Sequence, residues 1–475
     1  MNYYKGYEMV IGLEVHVELK TETKIFCSCK TTFGAAPNTQ CCPVCMGMPG
    51  TLPVLNGKVV DYAVKAGIAT GCNIARFSKQ DRKNYFYPDL PKAYQISQYD
   101  LPLCERGHID IETENGSKTI GITRIHIEED AGKLVHDDKL GTLIDCNRCG
   151  VPLIEIVSEP DIRSAEEADA YLRKLRAIIM YTGVSDCRMN EGSLRCDVNL
   201  SVRKVGEEKF GTRTEMKNLN SFQFIAKAID YEYRRQVDAI ESGEVIVQET
   251  RRFDSAAGKT YSMRRKEDAN DYRYFPDPDL PPIEISEEKL SSLKAEIPML
   301  PDERKEIYTS KYGLTPYDGE MITSEKSVAD YFEKCAALTA YPKIAANILI
   351  TDILRYMDEE SGDIPISPEN LAKVAEMQGS QRINSSTAKK MVKELLSGPF
   401  DPELYAEENG LWQINDTVLL EKMVKEAVSA NAKSVEDYKN GKESALKAIV
   451  GAVMAKTGGK GNPVIINELL EKELK

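Results

Sequence analysis

Two stretches of the chain alternate strictly between apolar and polar residues, and this period of two predicts half-buried β-strands. Along residues 9–19 the odd-numbered positions are apolar, whereas Glu14 and His16 lie on the opposite face. Along residues 195–203 the even-numbered positions are apolar, and Asp197 lies on the polar face. Generic polar residues would suffice on a strand face that meets water. Carboxylates and an imidazole there are typical of groups that hold a divalent cation and its phosphates.

The hydropathy pattern changes along the chain and divides it into three predicted domains. Residues 1–292 are rich in strand patterns, turns, glycine and proline. Helical patterns follow with few strand signals, and Pro301 has the position of a first helical residue. We therefore predict an α+β protein with a strand-rich domain at 1–292, an all-helical domain at 293–408 and a small helical tail at 409–475.

The composition is that of a globular protein. The chain has 475 residues, 42% of them hydrophobic and 29% charged, and no apolar run approaches the roughly 20 residues of a membrane helix. The first residues lack the apolar core of a signal peptide, so we expect a cytoplasmic protein without membrane contact. The net charge of -13 argues against DNA or other non-specific nucleic-acid binding. RNA stays open, because phosphate contact needs only a local basic patch.

The chain has 12 cysteines, which in a long chain of cytosolic type indicate thiols or a metal site rather than a disulfide framework. Four of them form a CxC…CxxC set near residues 27–45: Cys27, Cys29, Cys42 and Cys45. Two short-spaced pairs across a loop are typical of a tetrahedral zinc site. Four thiolates leave no open position for chemistry, so we predict a structural Zn²⁺. Cys146 and Cys149 have the same spacing and are an alternative half-site.

Further acids lie in two other segments. Segment 126–133 contains the adjacent residues Glu128 and Glu129 at a predicted strand end, and Glu155 interrupts the apolar run 151–157. Acids buried together repel one another unless a cation lies among them, and Mg²⁺ prefers carboxylate oxygens. The alternation of apolar and polar residues is interrupted near Arg124, just before segment 126–133. It therefore does not decide whether Glu128 or Glu129 faces the site.

Basic residues that could meet phosphates lie beside aromatic ones. Lys83 stands between Arg82 and Asn84, and Arg195 and Lys217 add positive charge elsewhere. The chain has no GxxxxGK[ST] loop, no GxGxxG turn between strand and helix and no GxSxG elbow. A nucleotide site would therefore be a strand platform that uses Mg²⁺ rather than a phosphate-binding loop.

Several long motifs resemble those of one known family, the B subunits of bacterial aspartyl/glutamyl-tRNA amidotransferases. They are IGLEVHVE at 11–18, DRKNYFYPD at 81–89, YQISQ at 94–98, HIEEDAGK at 126–133, PLIEIVSEP at 152–160, EGSLRCD at 191–197 and KNLNS at 217–221. The resemblance covers nearly the whole chain. It implies a curved antiparallel sheet like the cradle of glutamine synthetase, followed by a helical domain and a mobile tail that grips tRNA.

The resemblance also implies a reaction on tRNA that carries the wrong amino acid. ATP would phosphorylate the side-chain carboxylate of Glu-tRNA(Gln) or Asp-tRNA(Asn), because a free carboxylate lacks a good leaving group. Ammonia would then attack the acyl phosphate and leave Gln-tRNA(Gln) or Asn-tRNA(Asn). The ammonia would come from glutamine hydrolysed on a partner amidase (A) subunit, and a small C subunit would complete a heterotrimer.

Positions in the motifs carry the family's site residues over to this chain. The Mg²⁺ ligands implied are Glu14, His16, Glu129 and Glu155, with Asp197 a further candidate. The catalytic residues implied are Lys83, Glu129 and Asp197. Lys83 would lie on the ammonia path or near the phosphates. The residues expected to bind ATP are Arg82, Asn84, Arg195, Asn199 and Lys217.

Three other interpretations remain open at this level. The archaeal E subunit, a glutamate-specific relative, carries a large insertion for which the helical region 293–408 is too short. A non-catalytic, zinc-stabilised tRNA-binding adaptor would not need Glu129, Glu155 and Asp197, so ATP turnover without them would favour it. An acid-cluster metallohydrolase would not consume ATP in step with its product.

Overall fold

The computed structural model describes residues 3–265, 272–357, 362–439, 442 and 444–474. The chain divides into two compact units, Met1–Pro301 and Asp302–Lys475. The first unit mixes strands and helices, and the second is built of helices. The predicted α+β class is confirmed at this level, whereas the domain boundaries at 292/293 and 408/409 stay predictions.

The strands are β1 (Tyr7–Glu18), β2 (Asn73–Ile74), β3 (Phe77–Ser78), β4 (Asp81–Asn84), β5 (Tyr94–Ser97), β6 (Cys104–Thr113), β7 (Gly116–Glu129), β8 (Lys133–Asp137), β9 (Gly141–Asp145), β10 (Pro152–Ser158), β11 (Leu194–Lys204), β12 (Thr214–Lys217), β13 (Glu249–Asp254), β14 (Lys259–Arg265), β15 (Phe275–Pro276) and β16 (Ile283–Glu284).

The α-helices are α1 (Gly57–Ala69), α2 (Ala165–Thr182), α3 (Phe222–Glu241), α4 (Glu287–Ala295), α5 (Pro301–Tyr312), α6 (Pro316–Thr323), α7 (Lys326–Ala336), α8 (Pro342–Ile348), α9 (Pro368–Gly379), α10 (Ser385–Leu395), α11 (Pro402–Glu408), α12 (Thr417–Ala430), α13 (Ala432–Lys439), α14 (Ser444–Lys456) and α15 (Pro463–Leu474). Short 3₁₀ or π turns add Tyr4–Gly6, Leu349–Ile353 and Leu354–Tyr356.

One nine-stranded sheet dominates the first unit. Its strand order is β14-β13-β12-β11-β1-β10-β7-β6-β2, with β1 at its centre. Neighbouring strands are antiparallel except β12 and β13, which are parallel. This pair departs from the antiparallel sheet that the resemblance implied. The reason is that α3 connects the two strands, and a helical crossover returns the chain in the same direction.

The predicted alternation of β1 is confirmed by its burial. Ile11, Leu13 and Val15 are at most 1% exposed and belong to one core with Leu172 of α2 and Ile229 of α3. Helices α1, α2 and α3 pack against this side of the sheet, and alternation turns the charged residues of β1 to the other side. Because burial of one large apolar side chain stabilises by about 1.5–3 kcal/mol, this one-sided core holds the strand register.

The helices that cover the sheet begin and end at residues with the required chemistry. Ser164 accepts a hydrogen bond from the backbone N–H of Glu167 at the start of α2. Ser221 accepts one from Phe224 at the start of α3. Both hydroxyls satisfy an N–H group that has no partner within its helix. Gly183 ends α2 at φ +72°, a conformation that glycine adopts without strain.

A second sheet, of order β15-β4-β5, packs against β7. Pairing of β4 with β5 places Lys83 opposite Gln95. Gln95 and Ser97 donate hydrogen bonds to the carboxylate of Glu128 at 3.2 and 2.6 Å. The small sheet therefore brings the predicted basic segment to the polar side of the main sheet.

Helix α4 belongs to the first unit, and helices α5 to α15 build the second, apart from Pro301, which is the first residue of α5, as predicted. Helices α12, α14 and α15 share a small core of their own, which includes Leu420, Ile449, Ile466 and Leu470. This core lies within the segment predicted as the tail. No helix in the described part of the chain combines the length and apolar character that a membrane crossing requires.

Candidate metal and phosphate site

The register of the central strands brings polar residues from four strands onto one sheet face. Glu14 and His16 of β1 lie opposite Asp197 of β11 and Glu155 of β10, respectively. Glu155 in turn lies opposite His126 of β7. Directly opposed residues have Cβ atoms about 4.5–5.5 Å apart, so their side chains can contact one another.

His16, Glu128 and Glu155 form the first cluster that could hold a metal ion. One ligand atom from each residue lies within 4.8 Å of the others. The Nε2 atom of His16 is 3.6 Å from Oε2 of Glu155. Two carboxylates and an imidazole at this spacing fit an octahedral Mg²⁺ that keeps further positions for water and phosphate oxygens.

Buried cations adjoin these carboxylates. Nε2 of His126 is 3.2 Å from Oε1 of Glu128 and 3.3 Å from Oε2 of Glu155. Burial lowers the pKa of His126, but the two carboxylates outweigh burial and raise it to about 9. Burial also acts to raise the pKa of Glu128, but Lys83 and His126 outweigh it and hold that pKa below its usual range. Glu128 is therefore an ionised carboxylate that can ligate a metal ion.

Glu129 is not part of this cluster, although the resemblance implied it as a metal ligand and a catalytic residue. Its carboxylate accepts hydrogen bonds from the Lys92 ammonium and, at 2.9 Å, from the backbone N–H of Ile96. Successive strand residues point to opposite faces, and Glu128 shares its face with His126 two positions before it. The structure therefore brings Glu128, rather than Glu129, to the face that carries His16 and Glu155.

Glu14, Asp197 and Glu215 form a second cluster, with one carboxylate oxygen from each within 4.8 Å of the others. Nζ of Lys217 lies 2.5 Å from Oδ2 of Asp197 and 3.1 Å from Oε1 of Glu215. Asn199 donates a hydrogen bond to Oε1 of Glu14 at 3.0 Å. Burial, together with neighbouring carboxylates, raises the pKa of Glu14. The structure thus gathers Asp197, Asn199 and Lys217, which were predicted separately, around Glu14.

Sequence reasoning missed Glu215, a member of the second cluster, and His126, which adjoins the first cluster. His126 precedes Glu128 by two residues on β7, and this spacing could have identified it once the strand was recognised. Glu215 lies on the four-residue strand β12, opposite Asn199 of β11. A strand this short carries too little alternation to be read from sequence, so only the pairing reveals Glu215.

Lys83 reaches the first cluster, but its neighbours on β4 do not. Its Nζ atom is 4.0 Å from Oε1 of Glu128. Arg82 forms an ion pair with Asp277 at 2.7 Å, and Asn84 donates hydrogen bonds to backbone carbonyl groups. Because alternation turns Lys83 and its neighbours to opposite faces, the structure does not bring Arg82 and Asn84 to the carboxylate clusters.

Arg195 takes part in a separate network. It forms an ion pair with Asp130 and lies 3.8 Å from Glu18, while Arg148 lies 3.6 Å from Asp130. Burial, followed by the charge of Asp130, raises the pKa of Glu18 to about 8. Glu18, Arg148 and Arg195 line a cavity of about 490 Å³ together with Lys133. A cavity of this size can hold a small ligand such as a nucleotide.

The four predicted zinc ligands meet in one place. The Sγ atoms lie within 4.8 Å of one another in all four residues, Cys27, Cys29, Cys42 and Cys45. Zn–S bonds of about 2.3 Å in a tetrahedron place sulfur atoms about 3.8 Å apart, so these thiols fit Zn²⁺ after a small adjustment. Cys146 and Cys149 are buried, but they do not join this group among the described residues.

Comparison with known proteins supports the family resemblance that the motifs indicated. A family model described as the GatB/GatE catalytic domain matches residues 9–291, and a second, described as a GatB domain, matches residues 330–474. Several relatives are named as the B subunit of an aspartyl/glutamyl-tRNA(Asn/Gln) amidotransferase. The one from Caldicellulosiruptor saccharolyticus is 57% identical over 98% of this chain and 99% of its own.

Two further relatives of that name come from other bacteria. The protein of Carboxydothermus hydrogenoformans is 54% identical over 99% of both chains. The protein of Geobacter sulfurreducens is 53% identical over 99% of this chain and all of its own. These matches confirm the resemblance seen in the motifs, and this chain therefore belongs to the GatB/GatE family of amidotransferase B subunits.

Proposed function

We propose that this chain is the subunit of a tRNA-dependent amidotransferase that activates and amidates the misacylated amino acid. It converts Glu-tRNA(Gln), Asp-tRNA(Asn) or both into Gln-tRNA(Gln) or Asn-tRNA(Asn), in agreement with the name of its relatives. The observation that carries the proposal is the cluster of His16, Glu128 and Glu155 beside Lys83. Phosphoryl transfer needs a divalent cation and positive charge in one place, and this face brings possible ligands for such a cation together with an ammonium group.

The proposed reaction has two steps. Transfer of the γ-phosphoryl group of ATP to an oxygen of the side-chain carboxylate gives an acyl phosphate and ADP. The lone pair of ammonia then attacks the carbonyl carbon, and the carbon–oxygen bond to phosphate breaks. Inorganic phosphate leaves, and the nitrogen loses one proton to give the amide. The protein contributes positioning and charge rather than a covalent intermediate.

His16, Glu128 and Glu155 are the residues that would hold Mg²⁺. When bound, this ion neutralises phosphate charge and orients the transferred group. Lys83 supplies a positive charge beside the first cluster, 4.0 Å from Glu128. Lys217 supplies one at the second cluster. These two ammonium groups can move from carboxylate to phosphate oxygens without a large change of position.

The nucleotide is assigned to the cavity of about 490 Å³ lined by Lys133, Arg148 and Arg195. Three cationic side chains line this cavity together with the carboxylates of Glu18, Asp145 and Glu191, and cationic side chains pair well with phosphate oxygens. A nucleotide there would be in keeping with a chain that lacks a phosphate-binding loop. Arg82 and Asn84 have no part in this assignment, because neither residue lines this cavity.

The four cysteine thiols would hold a structural Zn²⁺ with no open position for chemistry. The main sheet would form a cradle like that of glutamine synthetase, and the second unit would contact the tRNA. Ammonia would arrive from a partner amidase subunit in a complex with a small third subunit. The word subunit in the relatives' names supports such a complex.

The test uses this chain assembled with its amidase and small partner subunits. The complex receives ATP, Mg²⁺, glutamine and either Glu-tRNA or Asp-tRNA, and the amino acid released from the tRNA is identified while ATP consumption is measured. Wild type is compared with Glu128→Gln and with Glu284→Gln, which changes an exposed carboxylate of β16. We expect amide and matching ATP consumption from wild type and Glu284→Gln, and far less amide from Glu128→Gln at the same Mg²⁺ concentration.

Three outcomes would contradict the proposal in different ways. A wild-type rate from Glu128→Gln would reject the metal cluster and keep the reaction. No amide from wild type with either tRNA would favour a non-catalytic tRNA-binding adaptor. Release of product without ATP consumption would favour an acid-cluster metallohydrolase.

A further inference from the structure

Lys24 is one of the most completely buried side chains of the chain, with no exposed surface. A lysine ammonium is almost never fully buried unless a negative group pairs with it, because removal of the charge from water is costly. Lys65, another buried lysine, follows this rule and has Oε2 of Glu296 at 2.5 Å from its Nζ atom. In the described part of the chain, no carboxylate forms such a pair with Lys24.

The neighbours of the Lys24 ammonium are sulfur and a backbone carbonyl. Its Nζ atom lies 3.6 Å from Sγ of Cys45 and 3.3 Å from the carbonyl oxygen of Cys146. The carbonyl carries only a partial charge. Cys45 therefore offers the nearest group that can become an anion, and it belongs to the set of four thiols that lie together.

Charge balance explains why a cation is needed there. Four thiolates around one divalent ion leave a net charge of about -2, and at Cys45, the one buried thiol of the four, nearby donors or cations must offset it. Sγ of Cys45 accepts a hydrogen bond from the backbone N–H of Cys42 at 3.2 Å. The Lys24 ammonium approaches the same sulfur, so Cys45 is the thiolate on which positive charge converges.

We propose that Lys24 is the charge-compensating residue of the four-cysteine centre and raises its affinity for Zn²⁺. This inference rests on the proposed zinc site. Lys24 acts through Cys45 and is a positioning residue, because its ammonium does not ligate the metal. The contact with Cys146 gives it a second role, since it links the backbone of Cys146 to the loop that carries Cys45.

The experiment measures zinc in the complete complex of this chain with its partner subunits. Zinc content and zinc affinity, by competition with a chelator of known affinity, are compared for wild type, Lys24→Met, Lys24→Gln and Lys24→Arg. Lys65→Met is the matched control, since it removes a buried lysine that a carboxylate already pairs. Thermal unfolding is recorded for each variant.

The charge assignment predicts a specific pattern. Lys24→Met and Lys24→Gln should each bind zinc at least roughly tenfold more weakly than wild type, which corresponds to about 1.4 kcal/mol. Lys24→Arg should restore affinity to within roughly threefold, because it retains the charge. Lys65→Met should keep wild-type zinc affinity, even where its melting temperature falls.

The possible outcomes distinguish the role of Lys24 from the presence of zinc at the four cysteines. A wild-type complex that contains no zinc and has four reactive thiols overturns the zinc site, and the role of Lys24 with it. Wild-type affinity in Lys24→Gln, which keeps a donor for the Cys146 carbonyl, would show that Lys24 is only a tie between loops. If Lys24→Met does not fold, the Gln and Arg variants decide the question by themselves.

Discussion

The carboxylate face of the main sheet and the cysteine cluster collect their side chains in different ways. The cysteine cluster takes four thiols from residues 27–45, whereas the carboxylate face takes its members from β1, β7, β10, β11 and β12. Lys24 adjoins the thiols, while His126 and Lys83 adjoin the carboxylates. A closed site with four protein ligands stabilises structure, and a site with three protein ligands keeps positions for reacting groups. Substitutions in the two regions should therefore change different properties.

The largest effect is expected at the carboxylate face. Glu155→Gln removes an anion that His16 and His126 share. Amide formation by the complex should fall by roughly a thousandfold or more, because metal charge stabilisation is worth several kcal/mol. The melting temperature should change by only a few degrees, since glutamine keeps the shape of the side chain. Rate and thermal unfolding measured side by side check this, and a large loss of stability would contradict it.

The cysteine cluster should show the reverse pattern. Cys42→Ser removes one of the four thiols and should release zinc, with a clear fall in melting temperature, because a structural zinc contributes directly to folding. The folded fraction at 25 °C should keep its amidation rate to within roughly threefold, since this site lends no open position to chemistry. Zinc content, unfolding and rate are the measurements. A lost rate with an unchanged melting temperature would place the cysteines in the reaction.

A smaller and more specific effect separates two adjacent glutamates. Glu128→Gln should raise the Mg²⁺ concentration for half-maximal residual activity by roughly tenfold or more, because it removes a metal ligand. Glu129→Gln should leave that concentration unchanged, whatever its effect on rate, because its carboxylate contacts Lys92 and the N–H of Ile96. Mg²⁺ titrations of both variants provide the check. An equal shift of the Mg²⁺ dependence in both variants would indicate that Glu129 also contributes to metal binding.

The smallest effect is expected at the edge of the carboxylate face. Lys217→Met removes the ammonium beside Asp197 and Glu215. KM for ATP should rise by roughly three- to tenfold, a modest change because water screens a partly exposed charge. Lys204→Met, which removes an exposed lysine paired with Glu241, is the matched control and should leave KM unchanged. A fall in the rate constant without a change in KM would argue for a role in the chemical step instead.

Local patterns account for what could be predicted. The alternation of residues 9–19 and 195–203 identified β1 and β11, and the spacing of four cysteines identified the thiol cluster. The alternation could not decide between Glu128 and Glu129 because it is interrupted in β7. The pairing of β7 with β10 shifts between Val157 and Ser158, where Arg124 lies opposite Val157. Such an irregularity adds a residue to one strand and breaks the period of two that a sequence pattern relies on.

The sequence by itself determined the strand faces of β1 and β11, the cysteine set and the family, because each depends on spacings within a short segment or on long motifs. Only the tertiary structure shows that Glu128 lies with His16 and Glu155, that Glu215 lies with Glu14, and that Lys24 faces Cys45. These pairings join segments that are distant in the chain. The packing of the whole core sets their register, and no local spacing records it.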